Sequence, residues 1–255
     1  MRTNIQEAPI LEIKDLDVRV AGRTVLHNIN LEVGAGETVI LFGPNGVGKS
    51  SLFSTLMGFP NYEVVKGTIR FKGQDLLLLN TAERAQLGIG MAFQRPPTIK
   101  GIKLKALGQR ISSATEASDR VSYFANNLGL ASFLDRDINL GFSGGETKRS
   151  EVFQLLLQNP CLSLIDEPES GVDIENIGVV GVALKTLLQR GNHIRDRQKS
   201  GLIITHTGLI LNYLNADRGV MLIDGTLSCS GNAREIFELI QERGYRECHK
   251  CLKIC

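Results

Sequence analysis

The sequence predicts an α/β fold in which a mainly parallel sheet carries an antiparallel β subdomain before it and a helical subdomain inserted within it. Three observations carry that expectation. From residue 37 to residue 243, short apolar runs alternate with helical patterns, as parallel βαβ units require. Residues 11–33 instead show two alternating runs, Leu11–Val20 and Val25–Val33, parted by Ala21-Gly22 as in an antiparallel pair. Finally, the stretch GPNGVGKSS, Gly43 to Ser51, joins the strand-like Glu37–Phe42 to the helical pattern of Ser51–Met57.

Taken in order, His27 falls inside the antiparallel pair, and a half-buried strand residue is expected there. Gly67–Gly73 reads as a short strand, and a helix is expected with Thr81 as its N-cap and Arg84, not an acidic residue, at N3. Gly88–Gln94 reads as a buried strand closing on a glutamine, and Arg95-Pro96-Pro97 ends it. Residues 98–140 are more polar, carry Gly101, Gly108 and Gly129, and show helical spacing at Val121, Phe124, Ala125 and Leu128. A helical subdomain over about residues 97–158 is therefore expected, closing with the helix Gly145–Leu157.

After Pro160 comes a buried strand, Cys161–Ile165, ending in Asp166-Glu167, and then a helix from Ile174 to Arg190. The charged loop Gly191–Ser200 leads to the strand Leu202–Thr205, which stops at His206. Val220–Ser228 reads as a hairpin on its Asp224-Gly225 turn, and Ala233–Arg243 as a last amphipathic helix. One domain over residues 1–255 is predicted, with a cysteine-rich tail at 246–255.

Composition narrows the function. Hydrophobic content is 42%, yet no run approaches the ~18 apolar residues of a membrane helix, so direct membrane insertion is not expected. Arg2 is followed by polar residues, so no secretory leader is expected. A net charge of +2 with interspersed signs argues against nucleic acid as a partner. Five cysteines without a leader point to a reducing cytoplasm and not to a disulfide framework.

The chemistry starts at the glycine loop. A G-x-x-x-x-G-K-[ST] match between strand and helix is a phosphate cradle, with backbone N–H groups turned inward and a helix N-terminus aimed at the anion. Gly43, Pro44, Asn45, Gly46, Val47, Gly48, Lys49, Ser50 and Ser51 form it here. Lys49 is expected on the β- and γ-phosphates and Ser50 on a magnesium ion. Asp166 at a strand end suits the same metal, and Glu167 beside it suits a general base for the attacking water. Gln94 and His206 close other strands, and the carboxyl ends of parallel strands converge on one crevice, so both are expected within reach of the γ-phosphate, the metal or the attacking water. Ser143 and Glu146 form an S-x-x-E capping box, but Gly144 and Gly145 cost helix stability unless the backbone must approach something closely. With one cradle already present, a second anion site there suits the nucleotide of another subunit.

These elements in this order resemble the ABC-type ATPase nucleotide-binding domain over essentially the whole chain. Gly43–Ser50 match its Walker A, Gln94 the Q-loop, Ser143–Glu146 the signature, Cys161–Asp166 with Glu167 the Walker B, Ser170–Asp173 the D-loop and His206 the switch histidine. The resemblance implies ATP hydrolysis with ATP and magnesium as cofactors. It also implies a head-to-tail homodimer in which each ATP lies between one Walker A and the partner's signature. Within the family, Tyr62–Leu76, Gly88–Pro96, Gly141–Arg149, Ser170–Ile174 and Gln241–Tyr245 resemble the SufC-like ATPases of iron–sulfur cluster assembly. That likeness implies a SufB-like scaffold, often with SufD; the alternative is the energising subunit of a membrane transporter.

The chain departs from the pattern in places. Val20 stands where most ABC ATPases place an aromatic against adenine, an absence that SufC-like proteins share. Pro168-Glu169 is closer to generic ABC subunits, and Pro97–Leu140 is short for a SufC-like chain, so a partner differing from the bacterial pair is expected. The tail, Cys248, Cys251 and Cys255 with His249, lies outside the resemblance; it offers three thiolates for a metal or cluster, or else is a terminus with free thiols.

Overall fold

A computed structural model describes residues 8–112 and 117–251. The chain begins with β1 (Leu11–Val20) and β2 (Arg23–Val33), followed by β3 (Thr38–Phe42), α1 (Lys49–Met57), β4 (Glu63–Phe71) and β5 (Gln74–Asp75). Next come α2 (Thr81–Leu87), β6 (Ile89–Ala92), β7 (Ile99–Lys103), α3 (Leu104–Ile111), α4 (Ala117–Asn127) and β8 (Asp137–Ile138). The rest is α5 (Gly144–Gln158), β9 (Leu162–Asp166), α6 (Ile174–Leu187), β10 (Ser200–Ile204), β11 (Arg218–Ile223), β12 (Thr226–Gly231) and α7 (Ala233–Cys251).

Among the described residues, six strands form one sheet in the order β12-β11-β3-β10-β9-β6. All of its pairings are parallel except that of β11 with the edge strand β12. A second sheet, β2-β1-β4-β5, is antiparallel. Both faces of the parallel sheet are covered, so its parallel strands are buried along nearly their whole length instead of alternating. In β3, Val39 and Leu41 face a core shared with β1, β2, β4 and Leu52, Phe53 and Leu56 of α1. Ile40 and Phe42 face the opposite core, made with α5, α6, α7 and the α3–α4 region. Helix α1 is thereby held between the two sheets, directly behind the loop that follows β3.

The structure corrects several expectations. Asn80, not Thr81, caps α2, and Glu83 completes a capping box with it: Glu83 N–H donates to Asn80 Oδ1 at 3.0 Å and Asn80 N–H to Glu83 Oε2 at 2.7 Å. An Asn side chain accepts from N3 more readily than a β-branched Thr, which moves the cap one residue earlier. His27 is exposed, because the buried side of β2 is carried by Leu26, Ile29, Leu31 and Val33. The strand expected at Gly67 starts at Glu63 and pairs along β1. The segment expected to be helical also contains the antiparallel β7–β8 pair. Helix α7 runs past Arg243 through a kink at Gly244, whose φ is 71°. The thiolates expected at Cys248, Cys251 and Cys255, with His249, lie outside the described side chains. Asp224 and Gly225 do form the β11–β12 turn, with φ of 48° and 74°.

Helix α6 stops at Leu187, before the expected Arg190. Arg190 instead turns inward, its side chain only 3% exposed, and Nη2 donates to Asp217 Oδ1 at 2.9 Å. Asp217 also accepts from the Thr38 amide at 2.8 Å and from Arg197 Nη1 at 3.1 Å. One carboxylate thus ties the end of α6 and the loop before β10 to the first residue of β3. Removing it strands a buried guanidinium. Asp217→Ala should lower unfolding free energy by about 3 kcal/mol, read from urea denaturation; a loss below ~1 kcal/mol would mean the pair is solvent-screened.

Candidate functional site

Parallel register sets the site. Ile204 pairs with both Leu41 and Asp166, and Ala92 pairs with Ile165, so β3, β10, β9 and β6 end on one edge. From that edge, β3 leads into the glycine loop, β9 ends in Asp166, and β10 and β6 lead to His206 and Gln94. A cleft of about 490 Å³ lies there, lined by Asn45, Gly46, Gly48, Lys49, Ser50, Ser51, Gln94, Glu167, Ser170 and His206.

Helix α1 starts on Gly48, whose φ of 105° belongs to glycine and whose added Cβ would stand 2.7 Å from Leu26 Cδ2. No side chain caps its first amides, and its first turn holds no acidic residue. By contrast α2, α5 and α6 each have an N-cap side chain accepting an amide, from Asn80, Ser143 and Asp173. An uncapped helix start facing a cleft is a ready acceptor for an anion. Lys49 is 5% exposed and donates to the carbonyls of Gly43 at 2.8 Å and Pro44 at 2.7 Å. Burial pulls its pKa down to about 8, against the pull of Glu167 and Asp166. A phosphate in the cleft would compensate that desolvation directly.

Glu167 is the residue on which the cleft converges. It adopts φ 48°, a left-handed conformation that costs a non-glycine residue of order 1 kcal/mol and is found at functional sites. Its amide donates to Ile204 O at 3.0 Å. Gln94 Nε2 donates to Glu167 Oε2 at 2.6 Å, and Nε2 of His206 meets Glu167 Oε1. Burial lowers the pKa of His206, with Lys49 adding to the effect and Glu167 opposing it. A neutral imidazole with its proton on Nε2 can donate to the carboxylate, so one acid is held by two neutral donors.

Asp166 is 3% exposed. Its pKa is raised, first by burial and then by Glu167, while a hydrogen bond from Ser50 works against this. Asp166 Oδ1 is buried and has no hydrogen-bond partner. A buried carboxylate oxygen without a partner, beside a hydroxyl, is an incomplete hard-oxygen donor set, and it fits a magnesium ion.

Ser143, Gly144, Gly145 and Glu146 are not brought into this cleft. They form the expected capping box, with Ser143 N–H donating to Glu146 Oε2 at 2.7 Å and Glu146 N–H to Ser143 Oγ at 3.3 Å. The close approaches that their glycines serve within this chain are to the loop after β9 and the start of α6: a Cβ on Gly144 would fall 2.3 Å from Gly171 O, and one on Gly145 3.0 Å from Asn176 Cγ. Val20 ends β1 and is not among the residues lining the cleft.

Sequence reasoning missed three residues behind the cleft. Lys148 on α5 is buried and donates to the carbonyls of Phe93 at 2.9 Å, Gln94 at 3.0 Å and Asp166 at 3.3 Å, joining the glutamine loop to the end of β9. Glu151, one turn on, accepts the Phe93 amide at 3.0 Å. Glu169 is also buried, beside the loop that carries His206. The one available signal was an i, i+3 Lys–Glu pair on α5, which reads equally as a solvated face.

Uncapped helix start, strand-end carboxylates and a lysine among carbonyls define a P-loop phosphate site of the kind that hydrolyses nucleoside triphosphates. The chain belongs to the ABC transporter family, whose model matches residues 26–170. It is 38% identical over 249 residues to the probable ATP-dependent transporter SufC of Escherichia coli K12, covering 92% of this chain and 97% of that one. It is 37% identical to vegetative protein 296 of Bacillus subtilis 168 over 249 residues, 93% of this chain and 92% of that one. The fold matches the crystal structure of a nucleotide-free ATP-binding cassette from an ABC transporter with a TM-score of 0.75 at 22% identity, over 94% of this chain and 98% of that one. The protein is thus a nucleotide-binding ATPase of the ABC type. No helix among the described residues is long and apolar enough to cross a membrane.

Burial raises the Glu151 pKa from 4.5 to about 7, against its bond to Phe93 and the charge of Lys148. The folded state therefore holds this proton to higher pH than the unfolded chain, and stability falls as pH rises from 4.5 towards 7. Glu151→Gln keeps an acceptor for Phe93 without that loss. It should equal the parent near pH 4.5 and exceed it above pH 7 by on the order of 1–3 kcal/mol, measured by denaturation across pH.

Proposed function

We propose that this chain is the ATP-hydrolysing motor of iron–sulfur cluster assembly, acting on a SufB-like scaffold, often with a SufD-like partner. The observation that carries the reading is the near full-length match to SufC, 38% identical over 97% of that protein. The segments quoted from the sequence point the same way.

In this reading the loop amides and the start of α1 bind the phosphates of ATP, and Lys49 places its charge on the β- and γ-phosphates. Ser50, Asp166 and Gln94 would hold magnesium, which would neutralise charge developing on the phosphate oxygens. Glu167 takes the proton from the attacking water. His206 orients that carboxylate and the γ-phosphate, and Gln94 holds the other carboxylate oxygen through its Nε2. Ser143, Gly144, Gly145 and Glu146 face the nucleotide of a second copy, so that two ATP molecules close a head-to-tail homodimer whose opening after hydrolysis moves the scaffold. The protein then works in the cytoplasm without nucleic acid.

A second reading is supported by the names of relatives: the Escherichia coli one is itself a probable ATP-dependent transporter, and that of Streptococcus pyogenes a probable ABC transporter ATP-binding protein. There the same cycle would energise a membrane permease. Gentle anaerobic purification from the native cell distinguishes the two. Co-purification of a soluble scaffold whose cluster formation needs ATP supports the first reading, whereas co-purification of an integral-membrane permease replaces it.

Two variants test the site. Lys49→Ala should weaken ATP binding at least tenfold by equilibrium titration, and unchanged affinity would contradict the cradle role. Glu167→Gln should still dimerise with ATP while losing turnover by at least about a hundredfold; near-normal turnover would remove Glu167 as the base.

A further inference from the structure

The loop after β10 is held at both sides of His206 by a single oxygen. Thr205 Oγ1 donates to Glu169 Oε1, and Thr207 Oγ1 donates to the same atom at 3.2 Å. Each threonine hydroxyl in turn accepts a backbone amide of the same loop, Gly208 N–H to Thr205 Oγ1 at 2.9 Å and Leu209 N–H to Thr207 Oγ1 at 3.3 Å. Both hydroxyl protons are therefore committed to Glu169, and both lone-pair sides to the turn. Glu169 is 6% exposed and Thr205 is fully buried. The other carboxyl oxygen, Oε2, is buried without a hydrogen-bond partner.

A buried carboxyl with one unpartnered oxygen is expensive, and its retention calls for an explanation. Burial sets the pKa of Glu169 above the usual carboxylate range, and the neighbouring Glu167 adds to the rise. A protonated Glu169 with its proton on Oε2 would leave Oε1 free to accept both threonines. The geometry has a consequence for the cleft. Glu169 lies two residues after Glu167 on one loop, and the threonines flank His206 on another, so this carboxyl sets the spacing between the two loops whose side chains meet at Glu167 Oε1 and His206 Nε2. A third tie, Glu167 N–H to Ile204 O at 3.0 Å, fixes the near end of the same pair of loops.

We infer that Glu169 is a positioning residue that sets the contact of His206 with Glu167 by holding the two threonines on either side of the histidine. The inference rests on the reading of Glu167 and His206 as the hydrolytic pair. It requires Oε1 as an acceptor and not a negative charge, so a glutamine can replace the acid and an alanine cannot.

The test uses the full chain, with ATP turnover normalised to folded protein and the imidazole resonances of His206 followed by NMR. Glu169→Ala should lower kcat about tenfold with KM for ATP changed less than about twofold, and should displace the His206 resonances. Glu169→Gln should restore most of the turnover and the resonance positions. Thr207→Val, at an exposed position, removes one of the two ties and should fall between, which keeps the test open if the alanine variant folds poorly. In a His206→Ala background, Glu169→Ala should add no further loss, since both changes then act on one missing contact. An undiminished tenfold loss in that background, or unmoved His206 resonances in Glu169→Ala and Thr207→Val, overturns the inference. Normal turnover of His206→Ala would instead strike the reading of the histidine, while displaced resonances in Glu169→Ala would still support the tether.

Discussion

The parallel pairing of β3, β10, β9 and β6 is the constraint on which the rest depends. Their shared register brings Leu41, Ile204, Asp166 and Ala92 to one edge of the sheet. A one-residue slip in any strand would exchange its two buried faces, and because both faces are packed against apolar cores the register is strongly held. Everything chemical in the molecule is then a short loop leaving that edge. The strands are rigid and the loops are brief, so side chains far apart in sequence meet within hydrogen-bond distance.

Behind the edge, charge is buried and compensated. Lys49, Lys148, Glu151, Asp166, Glu167 and Glu169 are each less than 10% exposed. Such groups persist only where partners offset the loss of hydration. Lys148 does this with backbone carbonyls instead of a carboxylate, and in doing so it makes α5 a rigid link. At its start α5 carries Ser143 to Glu146, and one turn later it grips the glutamine loop and the end of β9. A displacement of that helix start relative to the sheet would therefore reach Gln94 through few intermediates. The last helix acts on the other side of the loop: Phe237 stacks on Phe42 with ring centroids 6.1 Å apart, and the half-buried phenol of Tyr245, next to the kink at Gly244, meets the amide of Gly43.

Much of this was legible without coordinates. The glycine loop between strand and helix announces itself because a phosphate cradle needs glycine conformations, a lysine and a hydroxyl at fixed spacing in one continuous stretch. Asp166-Glu167, Gln94 and His206 could be placed because each closes a short apolar run, and a strand end is a local property. The cap of α2 was misplaced by one residue because Asn80 and Thr81 are both capping residue types, and the stronger one, Asn80, has the Glu83 partner at its N3 position. His27 was misjudged because alternation alone does not say which face is buried.

By itself the sequence determined the elements and the local chemistry: periodicity, caps, turns and motifs depend on neighbours a few residues away. Tertiary structure alone decided which oxygens of Glu167 face Gln94 and His206, that Lys148 joins two loops, that Arg190 leaves its helix for Asp217, and that Glu169 holds both threonines beside the histidine. Those contacts link residues 27 to 73 positions apart, or bridge elements that only the packed sheet brings together. Their energies come from desolvation and hydrogen-bond geometry, which exist only once the surrounding protein has excluded water.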